Sequence, residues 1–104
     1  MWVDVLSMKL LGKEKSFLNK QGERVASHMT DFVFRFPGSE VEQHAIGLCG
    51  TRACDKLHEV RGDCTRVAQA WLRFDKSPSR NNKSYWYTTC YVEDLKIFPK
   101  RLTD

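Results

Sequence analysis

Aromatic rings lie beside basic residues at several points of this 104-residue chain. An arginine lies next to a ring in AWLRF, residues 70–74, and in FVFRF, residues 32–36, and the richest aromatic run is SYWYTTCYVEDLKIF, residues 84–98, which directly follows Lys83. An aromatic face can stack on a flat ligand such as a nucleobase, and a neighbouring cation can neutralise a phosphate. Neighbouring side chains of a strand point to opposite faces, so one set of rings can fill a core while the other meets a ligand.

Residues that could support catalysis are scattered. His28, His44 and His58 fall in different predicted elements, and His44 alternates with Ile46 and Leu48 on what we expect to be a core face. The chain has no glycine-rich phosphate loop, no nucleophile elbow and no H-x-E signature. Its four cysteines form no C-x-x-C pair, which favours reduced, buried side chains over a metal site or a disulfide. We predict no enzyme activity, no metal and no cofactor.

Composition points to one globular domain, residues 1–104. The chain is 41% hydrophobic and 29% charged, and its formal net charge of +4 favours an anionic partner. No apolar run approaches the roughly 20 residues that span a bilayer. A cytoplasmic protein is expected.

The residue pattern predicts five strands and one helix. The strands are expected at residues 2–11, 24–36, 41–50, 64–76 and 84–98, and the helix at 51–63. Thr51 is the predicted N-cap and Gly62 the predicted stop of this helix. Two polar stretches, GKEKSFLNKQGER and SPSRNN, are predicted to form long hairpin loops. In the last strand we expect the Tyr87 side to pack inward and the Trp86 end to face outward.

This order of elements resembles the OB-fold, an all-β, five-stranded Greek-key barrel with one short helix between strands 3 and 4. Residues 42–98 resemble the bacterial single-stranded DNA-binding protein family, of which the chain looks like a divergent, compact member. In that family a strand ending in glycine leads to a helix, a Gly–Asp turn, a long strand, a flexible hairpin and a YTT strand. The matching residues are Gly50, Leu57, Gly62, Asp63 and 87–89.

The resemblance implies non-catalytic binding of single-stranded nucleic acid, in particular DNA. OB-folds bind oligonucleotides across strands 2 and 3, between the first-to-second and fourth-to-fifth strand loops, and both loops are basic here. The predicted phosphate contacts are Lys13, Lys15, Lys20, Arg24, Arg35, Arg73, Lys76, Arg80 and Lys83. The predicted stacking rings are Phe17, Phe34, Trp71 and Trp86. The alternative interpretation of the lysines is that they only keep the loops soluble, and the alternative interpretation of the rings is that they fill the core.

One small barrel offers a short site, so we expect a homo-oligomer, a dimer or tetramer, with replication proteins as further partners. The family's third strand carries exposed aromatic residues where this chain has Gln43 and Cys49. That departure favours the alternative function, an OB-fold module for protein–protein contacts in a replication or conjugation complex.

Overall fold

In this computed structural model the described residues are 1–79, 81 and 86–99. They form five strands, β1 (Trp2–Leu18), β2 (Arg24–Arg35), β3 (Gln43–Cys49), β4 (Val67–Pro78) and β5 (Trp86–Ile97). One α-helix, α1 (Thr51–Glu59), and one 3-10 turn (Cys64–Arg66) lie between β3 and β4. The predicted all-β class and the predicted order of strands and helix are confirmed.

The strands pair in a ring, in the order β1-β2-β3-β5-β4 and back to β1. All neighbours are antiparallel except β3 and β5, which are parallel. Since β3 runs antiparallel to β2, β3 ends and α1 begins at the end of the ring where the β1–β2 turn lies. β4 ends and β5 begins at the opposite end, because β5 is parallel to β3 and starts beside the start of β3.

The first strand is longer than predicted. β1 continues through the basic segment that was expected to be a loop, and a register shift between Leu11 and Lys15 accommodates Gly12 at φ +66°. The turn itself is short, because the side-chain oxygen of Asn19 accepts the backbone N–H groups of Gln21 (3.0 Å) and Glu23 (2.9 Å). Residues 13–25 therefore form a two-stranded extension of the ring, which we call the β1–β2 arm.

The helix boundaries differ in detail from the prediction. Gly50 occupies the N-cap position, and the Thr51 hydroxyl instead accepts the backbone N–H of Ala26 at 3.0 Å, which ties α1 to β2. The predicted stop is displaced by one residue: Arg61, at φ +54°, takes the left-handed position after the C-cap Val60 and donates its N–H to the carbonyl of His58 at 3.0 Å, and Gly62, at φ +76°, follows and donates to the carbonyl of Leu57 at 2.8 Å. A helix with the length and apolar character of a membrane span does not occur among the described residues.

Side chains from all five strands and α1 fill the ring. Phe32 is the largest fully buried residue, and α1 closes one end with Ala53, Cys54 and Leu57. The other buried apolar side chains include Val3, Phe34, Leu72, Val92 and Leu95. Burying an aliphatic or aromatic side chain of this size stabilises the fold by about 1.5–3 kcal/mol, so this core holds the strands in register.

The inward face of β3 is the opposite of the one expected from its sequence. Gly47 and Cys49 are buried, whereas His44 and Ile46 are exposed. The cause is steric: a Cβ built on Gly47 would lie 2.9 Å from Phe32 Cε1 and 3.3 Å from a Val92 methyl carbon. Because the Phe32 ring occupies the interior, only the small side chains of β3 can face it.

The inward face of β5 is likewise reversed where the structure describes it. Cys90 and Val92 are buried, and Tyr91 lies on the outside of the ring, where the Arg73 guanidinium sits 4.5 Å from its ring centroid. The expectation that the tyrosine side packs inward is therefore wrong for this part of the strand. The side chains of Trp86 and Tyr87 lie outside the described part of the molecule.

The cysteines are free thiols, and three of them are buried, as the sequence predicted. Burial is the main cause that raises the pKa of Cys49 from 9.0 to about 12, with a further contribution from the neighbouring thiol of Cys54. Burial also raises the pKa of Cys54 to about 12, and the Glu14 carboxylate adds to this rise. Both thiols therefore stay neutral in the folded protein at pH values where they ionise in the unfolded chain.

We expect the free energy of unfolding to fall as the pH rises above about 9, because only the unfolded state then loses these protons. Between about pH 8 and about pH 10 each thiol should account for a loss of about 1 kcal/mol. Urea unfolding under reducing conditions measures this. The Cys49→Ala/Cys54→Ala variant should lose less stability over the same interval, and an equal loss in both proteins would contradict the assignment.

Candidate functional site

The lysines of the β1–β2 arm are exposed and available to an anionic ligand. Glu14, which lies between two of them in sequence, is instead engaged by His58 Nε2 at 2.8 Å and by Arg24 at 3.8 Å. In the described part of the chain no lysine takes part in an ion pair. The exposed lysines at predicted phosphate positions are Lys13, Lys15, Lys20 and, on β4, Lys76.

The predicted arginine contacts are already paired with carboxylates. The pairs are Arg24–Asp55 (3.1 Å), Arg35–Glu42 (3.5 Å), and Arg73 with both Asp75 and Glu93. Exposed pairs of this kind contribute about 0–1 kcal/mol, so a phosphate would have to compete with an acid at each of them. The lysines, rather than the arginines, are therefore the better candidates for phosphate contacts.

The structure separates the predicted stacking rings. Phe34 is only 3% exposed and packs between Phe32 and Phe36, with ring centroids 5.2 and 5.3 Å away, so it belongs to the core and cannot stack on a base. Phe17 is 60% exposed on the arm. Trp71 is 39% exposed on β4. These two rings remain candidates for stacking.

Three further predicted contacts lie wholly or partly outside the described part of the molecule. Arg80 and Lys83 lie outside the described residues. Trp86 begins β5, and its backbone lies opposite Pro78 of β4, but its side chain is not described. Their roles stay predictions.

One row of outward-facing side chains crosses all five strands. Its members lie directly opposite one another in successive pairs of strands, and in such pairs both side chains share a face. We call this row the outer belt; in order it comprises Leu11, Met29, Leu48, Tyr91 and Arg73. The belt is apolar across β1, β2 and β3 and ends in a tyrosine covered by a guanidinium.

A second outward row adds to this surface. Ile46, which is 58% exposed, lies opposite Asp31, and Asp31 lies opposite Lys9 on β1. His44 forms a hydrogen bond with the Asp31 carboxylate, which fixes both polar side chains beside the isoleucine. The outer face of β2 and β3 therefore offers apolar surface with a polar edge, and neither of these strands presents an aromatic ring there.

Trp71 lies on another part of the ring. It lies opposite Trp2 of β1 and Asp94 of β5, and the two indoles meet edge to face with centroids 5.5 Å apart and planes at 76°. They line an open groove of about 510 Å³ together with Gly50, Thr51, Arg52, Glu93 and Asp94. Sequence reasoning found Trp71 but missed Trp2, whose alternation with buried Val3 was the available signal.

The described residues contain no group of three or more histidine, cysteine or acidic side chains that could hold a metal ion. Comparison with protein-family models, with curated proteins and with solved structures found no match to this chain. We therefore infer the function from the residues of this chain and their geometry.

Proposed function

We propose that this chain is an OB-fold domain that binds single-stranded nucleic acid, in particular DNA, without catalysing a reaction. The strand order β1-β2-β3-β5-β4, with a helix between β3 and β4, supports the OB-fold. The main support for this function is the set of exposed lysines on the two hairpins at opposite ends of the ring. In the described part of the chain these lysines take part in no ion pair. An apolar strand face lies between these ends.

In the proposed binding mode the phosphates and the bases of the nucleic-acid strand contact different residues of the protein. Phosphates contact the arm lysines at one end and Lys76 at the other, with Arg80 and Lys83 as further contacts from the sequence. Bases lie against the outer belt and Ile46, whose apolar surface tolerates any base. Phe17 on the arm and Trp86 at the start of β5 supply stacking rings.

The wider setting is part of the same proposal. A short site on one small domain binds weakly, so two or four copies acting together raise the affinity by multivalency. We propose a homo-oligomeric, cytoplasmic protein that acts in DNA replication beside other replication proteins.

A second candidate function is a protein-interaction module within a replication or conjugation complex. The exposed side chains of Met29 and Ile46 favour it, because apolar patches on a strand face often mark protein contacts. Such a partner would bind with little dependence on salt and would not compete with oligonucleotides. The lysines that the structure leaves outside ion pairs are better explained by the first function.

Titration of a fluorescent oligo-dT with the protein, followed by anisotropy, tests the proposal. The four lysine contacts alone should give a slope of log affinity against log salt of about −3, so affinity should fall at least about 60-fold between 50 and 200 mM salt, and the contacts of Arg80 and Lys83 should make the slope steeper. The same titration with a duplex of equal length should give weaker binding. Absence of oligo-dT binding at low salt, or tighter binding of the duplex, would overturn the proposal.

A further inference from the structure

The groove beside Trp2 and Trp71 has the features of a site for one nucleotide. Its volume of about 510 Å³ lies within the range of small-molecule sites, about 300–1,000 Å³. Two indoles meet at 76°, so a flat group that stacks on one ring meets the edge of the other. The ammonium of Lys96 lies 4.4 Å from the centroid of the Trp2 ring, so Trp71 is the more accessible stacking surface.

The two carboxylates of the groove differ in whether an ion pair already occupies them. Glu93 is paired with Arg73. Asp94 lies opposite Trp71, and its Oδ1 accepts the backbone N–H of Leu95 at 2.8 Å. A carboxylate has about four acceptor positions, so Asp94 retains the capacity to accept further N–H donors.

The groove lining also contains a cationic side chain, Arg52. Arg52 is exposed, and within the described residues it forms no ion pair. Gly50 and Thr51 bring the first turn of α1 to the same wall, and that turn contains no acidic residue. The helix dipole adds to the attraction of Arg52 for an anion. A ring surface, an acceptor and a cation thus line one groove.

We propose that this groove binds a guanine nucleotide. The base stacks on Trp71, its adjacent N1–H and amino group donate to the Asp94 carboxylate, and its phosphate lies near Arg52. Adenine and cytosine present one donor beside an acceptor on the same edge, and uracil one donor between two acceptors, so each leaves an acceptor facing the carboxylate. The site goes beyond the proposed function, since it selects one base whereas the outer belt tolerates any.

Tryptophan fluorescence in a Trp86→Phe background tests the site, because the remaining indoles are both in the groove. GMP should quench this fluorescence and bind about ten-fold more tightly than AMP, CMP or UMP, as expected for one bidentate contact. Asp94→Asn keeps an oxygen for Leu95 but should reduce the preference for GMP to less than about two-fold. Arg52→Ala should weaken all four nucleotides, whereas Lys56→Ala, on the same helix but outside the groove, should weaken none.

Two oligonucleotides identify the source of the nucleotide and separate this inference from strand binding. Oligo-dT contains no guanine, so its affinity reports the proposed function alone. If the strand delivers the base, oligo-dT with one dG should bind about ten-fold more tightly than oligo-dT; if the ligand is a free nucleotide, only GMP should show the preference. The inference is wrong if no mononucleotide binds. It is also wrong if GMP does not bind more tightly than the other nucleotides, or if Asp94→Asn leaves that preference unchanged. Both results are independent of the affinity for oligo-dT.

Discussion

Replacing Phe32 by alanine is expected to lower the free energy of unfolding by about 3–5 kcal/mol. The ring is 1% exposed, stacks beside Phe34 at a centroid distance of 5.2 Å, and reaches the space that the missing side chain of Gly47 leaves. Alanine would leave a cavity in the middle of the ring of strands. The cavity would stay open, because β2 and β3 are already paired and cannot move closer together. Urea unfolding followed by circular dichroism measures the loss.

Phe17→Ala is the matched control for this prediction. Its ring is exposed on the arm, so the same substitution should change the free energy of unfolding by less than about 0.5 kcal/mol. It should nevertheless weaken oligo-dT binding by about ten-fold, the effect of losing one stacked base. Equal stability losses in the two variants, or a stable Phe32→Ala protein, would contradict the assignment of one ring to the core and the other to the surface.

Reversing the charge of the four exposed lysines should have the largest effect on binding. We expect the variant Lys13→Glu/Lys15→Glu/Lys20→Glu/Lys76→Glu to lose at least about 100-fold in affinity for oligo-dT at low salt. These side chains form no ion pair in the described structure, so their replacement removes no known stabilising contact. Circular dichroism and the urea midpoint should match those of the parent protein.

A pair of double variants separates local contacts from net charge. Lys13→Glu/Lys15→Glu and Lys56→Glu/Arg61→Glu change the net charge by the same amount, but the second pair lies on α1 and just after it. Only the arm variant should lose about ten-fold or more in affinity. Equal losses would show that oligonucleotides respond to the overall charge and not to the arm.

The sequence predicted the order of elements but not which face of β3 and β5 is buried. Alternation in β3 separates His44 and Ile46 from Gly47 and Cys49, and hydrophobicity alone favours the wrong set as the inner one. The choice is made by Phe32 of β2, whose ring leaves room only for small residues on β3. Which face of β3 is buried therefore depends on packing between strands and cannot be predicted from the sequence of one strand alone.

The extent of β1 and the composition of the groove could not be predicted for related reasons. Both faces of the β1–β2 arm are largely exposed, so its strands lack the apolar alternation that marks a half-buried strand. Trp2 and Trp71 meet only through the register of β1 with β4, which links residues far apart in sequence. The pairing of Arg24 with Asp55 likewise depends on where α1 packs. Basic residues could be recognised from the sequence, whereas their carboxylate partners could not.

The salt dependence of oligo-dT binding tests the central claim, that exposed lysines at the two ends of the ring contact one strand. The four lysines should contribute about −3 to the slope of log affinity against log salt, so the slope of the four-lysine variant should be shallower than that of the unmodified protein by about that amount. If the variant keeps the slope of the parent protein, these lysines do not contact the phosphates and the proposed interface is wrong.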